Sequence, residues 1–158
     1  MSNITAKTSS NIFYQARCAA SAHNEQLSSR EGAADMMAID RGCLYRMENG
    51  ITNPYPEEVL LMADCYHAPE LKSNYCREMC PLGKDFPKVD NQDLDRITVR
   101  AQASFRRITE AKELLLDITE DGVISEDEKD DLNAILKTLD EVNEITQSLK
   151  LWVEKNMK

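Results

Sequence analysis

Residues 28–50, SSREGAADMMAIDRGCLYRMENG, constrain the fold more than any other part of the chain. They read as two short helices separated by a tight turn. Ser28 or Ser29 is the predicted N-cap of the first helix, because a hydroxyl oxygen there can accept a hydrogen bond from a free backbone N–H. Asp40 is the predicted cap of the second, and Asn49-Gly50 predicts its end, since both residues tolerate the left-handed conformation.

Each of these helices has one small apolar face. In the first helix this face is predicted to consist of Ala33, Ala34, Met36 and Met37. In the second helix Cys43, Leu44 and Met47 stand at i, i+1 and i+4, so they share a buried face. The opposite face of the second helix is then formed by Arg41, Gly42, Tyr45 and Arg46.

This pattern resembles the helix-turn-helix of Cro/cI-type (XRE-family) repressors. The resemblance lies in a small residue in the first helix (Ala33 or Ala34), an apolar residue after the turn (Ile39) and the E-N-G ending at 48–50. It continues into ITNPYPEEVLLMAD and covers roughly residues 8–85. The chain departs from the family at Arg30, which replaces the usual Gln, in a longer loop at 22–27, and at Gly42 inside the second helix.

The resemblance implies a compact domain of five helices that reads double-stranded DNA. It implies that Arg41, Tyr45 and Arg46 approach base edges and phosphates in the major groove. Arg30 would lie at the groove edge, and hydroxyl and amide side chains would contact phosphates. The complete set of expected DNA-binding residues is Ser28, Ser29, Arg30, Arg41, Gly42, Tyr45, Arg46, Thr52 and Asn53.

The charge of the chain opposes tight DNA binding. The net charge is −9, whereas DNA-binding domains are usually basic. Residues 1–90 carry 9 basic and 12 acidic side chains, and the remainder carries 10 basic and 16 acidic. DNA binding would therefore depend on a local patch formed by Arg30, Arg41 and Arg46.

From Asp93 onward the pattern changes to that of a coiled coil. Apolar residues repeat every seven positions, and a second long amphipathic helix follows from Ser125, where S-E-D-E forms a capping box. Two helices of about 25 and 30 residues predict an antiparallel hairpin, and a second copy would cover its wide apolar face. The expected dimer interface is formed by Leu94, Ile97, Ala101, Phe105, Ile108, Leu115, Leu139, Val142, Leu149 and Trp152.

Metal binding is the weaker interpretation of two further segments. Residues 117–128 match an EF-hand loop at Asp117, Asp121, Gly122 and Glu128, but Ser125 and Glu128 are already explained by the capping box. Cys65, His67, Cys76 and Cys80 match no strong zinc spacing. We therefore expect no metal and no cofactor. No phosphate-binding loop or nucleophile elbow appears, so we expect no enzyme.

The sequence thus predicts an all-α protein with a five-helix repressor-like domain at 8–85 and a dimerising helical hairpin at 91–158. No apolar run approaches a membrane span and no signal peptide is evident, so the expected location is the cytoplasm. The predicted function is sequence-specific transcriptional regulation, most simply repression, by a homodimer on a palindromic operator. The alternative is a protein-binding adaptor or inhibitor whose working surface is the acidic hairpin.

Overall fold

A computed structural model describes residues 8–89, 92–119, 125–126 and 128–157. Within those residues all regular structure is helical, which confirms the predicted all-α class. The chain divides into two compact units between Phe86 and Pro87. No helix in the described ranges combines the length and apolarity needed to cross a membrane.

Between Ile12 and Glu78 the first unit contains five α-helices and one turn of 3₁₀ helix. The α-helices are α1 (Ile12–Ala20), α2 (Arg30–Met37), α3 (Arg41–Glu48), α4 (Pro56–Cys65) and α5 (Glu70–Glu78), and the 3₁₀ turn (Glu25–Ser28) precedes α2.

The predicted caps of α2 and α3 are confirmed. The Ser29 hydroxyl oxygen accepts from the backbone N–H of Gly32, and Asp40 Oδ1 accepts from that of Cys43. Between these helices Ala38 adopts a left-handed φ of 53°, which reverses the chain within a few residues. Asn49 caps the end of α3, and Gly50 follows with a φ of 62°. Local sequence signals therefore set the bounds of both helices.

The core of the first unit lies where all five helices meet. Its buried apolar side chains are Phe13, Leu27, Ala33, Ala34, Met37, Leu44, Met47, Val59, Met62, Ala63, Tyr66, Ala68 and Leu71. One sequence expectation was wrong: Met36, predicted for the apolar face of α2, is 44% exposed. On α1 the buried side chains are Phe13 and a charged residue, Arg17.

The second unit consists of two long helices, α6 (Leu94–Ile118) and α7 (Glu128–Asn156), which run antiparallel. The heptad row of α6 that is buried against α7 is Ile97, Ser104, Ala111 and Ile118. Ile97, predicted for the dimer interface, is therefore used inside the hairpin. At the start of α7, the Ser125 backbone N–H donates to Glu128 Oε2, as the capping box predicts.

Candidate nucleic-acid interface

The outer face of α3 presents Arg41, Gly42, Tyr45 and Arg46, which we call the α3 surface. The side chain of Arg41 is 69% exposed, and Tyr45 and Arg46 are also exposed. Leu44 and Met47 are buried on the opposite face and attach α3 to the core. The predicted partition of this helix into a packed face and a solvent face is confirmed.

Beneath this surface lies a buried ion-pair network. Glu48, at the last turn of α3, is fully buried and accepts from two arginines. Its Oε1 lies 2.6 Å from Arg17 Nε, and its Oε2 lies 2.5 Å from Arg30 Nε. Arg17 comes from α1 and Arg30 opens α2, so one carboxylate links three helices. The network has one more positive than negative charge.

Arg17 is anchored on both sides of its guanidinium. Besides Glu48 it donates through Nη1 to the backbone oxygens of Leu27 and Ser28, at 2.9 and 3.2 Å. Burial alone would lower its pKa, but the hydrogen bond to Glu48 and the charge of that carboxylate raise the pKa above its usual value. The arginine therefore stays charged, as its buried partner requires.

Arg30 extends from this network to the surface between two aromatic rings. Its guanidinium carbon lies 5.9 Å from the ring centre of Tyr14 and 5.3 Å from that of Tyr45. Both distances are in the range of cation–π attraction. Because its side chain is 29% exposed and bound to Glu48, Arg30 holds Tyr45 and α3 in place. The sequence expectation for Arg30 included no such structural role.

A shallow cleft brings together six of the nine predicted site residues. It is lined by Ser28, Ser29, Arg30, Arg41, Gly42 and Tyr45, and also by Tyr14, Arg17 and Glu31. Arg46, Thr52 and Asn53 are exposed outside the lining of that cleft. Sequence reasoning missed Tyr14 and Arg17. The available signal was a charged residue on the apolar face of α1, four positions after Phe13.

Acidic side chains near the α3 surface differ in their effect. Glu31 Oε2 lies 3.7 Å from Arg41 Nη1, and both side chains are exposed. Asp40 is occupied as the cap of α3, and Asp35 is exposed on α2. Glu48, the carboxylate nearest to the arginines, is buried and doubly paired, so it does not lie on the α3 surface, whereas the exposed Glu31 offsets part of the charge of Arg41.

The five cysteines are free thiols. Cys43, on α3, donates through Sγ to Glu58 Oε1 at 3.3 Å, and burial together with that carboxylate raises its pKa. Burial also raises the pKa of the Cys65 thiol. Within the described ranges no three His, Cys, Asp or Glu side chains gather as a metal site. Half of the EF-hand-like segment 117–128, namely residues 120–124 and 127, lies outside the described residues.

Tyr66, at the end of α4, is expected to make the protein sensitive to alkaline pH. Burial, followed by the charge of Glu48, raises its pKa well above the ordinary value of 10.0. The unfolded chain then releases this proton near pH 10 while the folded chain keeps it, so stability falls as pH rises above 10. The loss should reach about 1.4 kcal/mol at pH 11.

The test is urea denaturation of Tyr66→Phe and of the wild type between pH 8 and 11. The Tyr66 hydroxyl has no hydrogen-bond partner among the described residues, so Phe is expected to cost little at neutral pH. The variant should lose less stability on alkalisation. Tyr55→Phe, which removes an exposed phenol, serves as the control. Equal alkaline losses in the wild type and Tyr66→Phe would exclude Tyr66 as the cause.

Comparisons of the chain with family models, curated proteins and solved structures find no match. The resemblance to XRE-family repressors therefore stays a prediction, and the case for a function depends on the geometry of the α3 surface.

Proposed function

We propose that this protein is a sequence-specific DNA-binding transcriptional regulator that acts as a homodimer, with α3 as the recognition helix. The observation that carries the proposal is the exposure of Arg41, Tyr45 and Arg46 on a helix anchored by the buried network of Glu48. Arginine binds guanine through two hydrogen bonds, and a major groove about 12 Å wide admits one helix.

The rigidity of the α3 surface supports this proposal. Base reading requires side chains that are held in register, because a displaced donor loses its hydrogen bond. Here the helix is fixed by apolar packing of Leu44 and Met47 and by the two ion pairs of Glu48. The stacked guanidinium of Arg30 adds support at Tyr45.

Contacts to phosphates would come from the polar side chains of the loops beside α2 and α3. Ser28 and Ser29 precede α2, and Thr52 and Asn53 follow α3; all four are exposed. Such contacts position a protein on the duplex without reading its sequence. Each phosphate that the protein neutralises contributes about −0.9 to the slope of the logarithm of the binding constant against the logarithm of the salt concentration. Because few cations lie on this surface, we expect this slope to be shallow.

Selection from random double-stranded DNA followed by sequencing tests the proposal. The wild type should enrich a palindromic motif at low salt, since a two-fold protein reads two half-sites. Arg41→Ala with Arg46→Ala should lose this motif, because each guanine contact contributes about 1–3 kcal/mol of discrimination. Repression would follow from occlusion of a promoter that contains the motif.

A matched control removes two positive charges elsewhere in the same unit. Arg77→Ala with Lys84→Ala alters α5 and the segment after it, outside the cleft, and should retain the motif. If both double variants lose the motif, the loss reflects the removed charge and not base reading by α3, and if both retain it, Arg41 and Arg46 do not read bases. Failure of the wild type to enrich any sequence at low salt would refute the proposal.

The acidity of the hairpin favours a second candidate, a protein-binding adaptor or inhibitor. In the half of the hairpin nearest its turn, the described residues of 108–139 carry seven acidic and three basic side chains. Such a surface complements a basic partner. This candidate is tested by using the full-length protein as bait for a partner, and it gains only if the DNA selection fails.

A further inference from the structure

One side of the hairpin is closed by ion pairs. Arg100 pairs with Glu144 at 3.1 Å and Arg107 with Glu141 at 2.6 Å, and both connect α6 to α7. The two arginines stand four positions before the buried Ser104 and Ala111. Likewise, the two glutamates stand four positions before the buried Ile145 and Ser148. On each helix, the residues that stand four positions before a buried residue therefore lie on this side of the hairpin.

The opposite side of the hairpin is apolar. Residues four positions after a buried one lie on the other flank of the helix. On α6 these include Leu115, which is 39% exposed, and on α7 they include Leu139 and Leu149, at 48% and 42%. Phe105, which is 62% exposed, stands four positions after Ala101 and therefore lies further around the same flank of α6. We call this the hairpin's apolar face; it consists of Leu94, Ala101, Phe105, Ile108, Leu115, Leu139 and Leu149.

Charge is distributed unequally along the hairpin. The half at its turn, residues 108–139, carries the seven acidic and three basic side chains noted above. The half at its open end, 92–107 with 140–157, carries six of each among its described residues. Four of the six basic residues are arginines on α6: Arg96, Arg100, Arg106 and Arg107.

We infer that the hairpin's apolar face binds a second copy of this chain in antiparallel orientation, forming a four-helix bundle. Side-by-side parallel copies would bring two acidic turn halves together, and like charges repel. Antiparallel copies instead place each acidic half beside the partner's open-end half, whose acidic and basic side chains balance, while the leucines and Phe105 are removed from water. The inference rests on the homodimer of the proposed function and specifies its arrangement.

The first test is the mass of the full-length protein in solution, measured by light scattering over a concentration series. The wild type should approach twice the 17.9 kDa mass of one chain. Phe105→Glu should raise the dissociation constant by about 30-fold or more, as for a central interface residue. Val99→Glu is the matched control, because Val99 is 69% exposed but lies on the far side of α6, and it should leave the dimer intact.

Circular dichroism checks that both variants keep their helices. A monomeric wild type, or a Phe105→Glu protein with an unchanged dissociation constant, would overturn the inference. If Phe105→Glu loses helicity, Leu139→Glu repeats the test on the other helix. The DNA selection tests the α3 surface and not the hairpin's apolar face. A monomeric wild type that still enriches a half-site would therefore refute the dimer arrangement but not DNA binding.

The second test determines how the two copies are oriented, by amine cross-linking of a mixture of ¹⁴N- and ¹⁵N-labelled chains. Lys129 and Lys155 are 26 residues apart on α7, about 39 Å at 1.5 Å per residue. A short cross-linker cannot join them within one chain. Antiparallel copies should give mixed-isotope links between Lys129 and Lys155. Links between Lys129 and Lys129 instead would show a parallel dimer and overturn the inference.

Discussion

Replacing Glu48 by Gln is expected to reduce the free energy of unfolding by about 3–5 kcal/mol, because it leaves a buried charge without its partner. The side chain of Arg17 is only 5% exposed, so water can replace little of the stabilisation that the carboxylate provides. Arg30 is less affected, since its side chain is 29% exposed. The measurement is urea denaturation at pH 7, followed by circular dichroism. DNA binding should weaken with stability, since Glu48 fixes the end of α3.

Two further variants isolate the cause of this loss. Glu31→Gln removes an exposed carboxylate that also faces an arginine, Arg41, and should leave the urea midpoint almost unchanged. Arg17→Met in the Glu48→Gln background removes the orphaned guanidinium and should restore part of the loss. If Glu31→Gln and Glu48→Gln cost the same, burial of the network does not contribute as described.

Replacing Gly32 by Ala is expected to destabilise the protein by about 1–3 kcal/mol, although alanine is the better helix former. A Cβ at Gly32 would overlap the backbone oxygen of Gln26, and it would lie 3.1 Å from the carbonyl carbon of that residue. This carbonyl belongs to the 3₁₀ turn that packs on α2. Because backbone cannot rotate away as a side chain can, the turn and α2 must separate.

Gly42→Ala is the matched control on the neighbouring helix. A Cβ there would meet only side-chain atoms, Asp40 Oδ1 at 3.0 Å and Arg46 Nη1 at 3.5 Å. Because Asp40 Oδ1 also caps α3, its small displacement offsets the gain of about 0.5–1 kcal/mol in helix propensity, and the variant should stay close to the wild type. Gly32→Ala should therefore lower the urea midpoint much more than Gly42→Ala does. A loss in Gly42→Ala as large as that in Gly32→Ala would mean that the contact with Gln26 is not the cause.

The sequence by itself determined the features that depend on neighbours along the chain. Ser29 and Asp40 cap α2 and α3 as predicted, because a cap needs only a side-chain oxygen and the N–H groups two or three residues later. The face of α3 that carries Arg41 and Tyr45 followed from helical periodicity. Periodicity also predicted the two long helices of the hairpin, which the structure places at Leu94–Ile118 and Glu128–Asn156.

Only the tertiary structure decided which polar side chains are buried and which of two apolar rows closes the hairpin. Glu48 has the sequence context of a surface residue, yet Arg17 and Arg30, 31 and 18 positions away, make its burial possible. On α6 two heptad rows are comparably apolar, and α7 covers the row of Ile97 while Leu94 and Leu115 stay partly exposed. Charge pairing and packing across distant segments fix both outcomes, and periodicity along one helix carries no information about either.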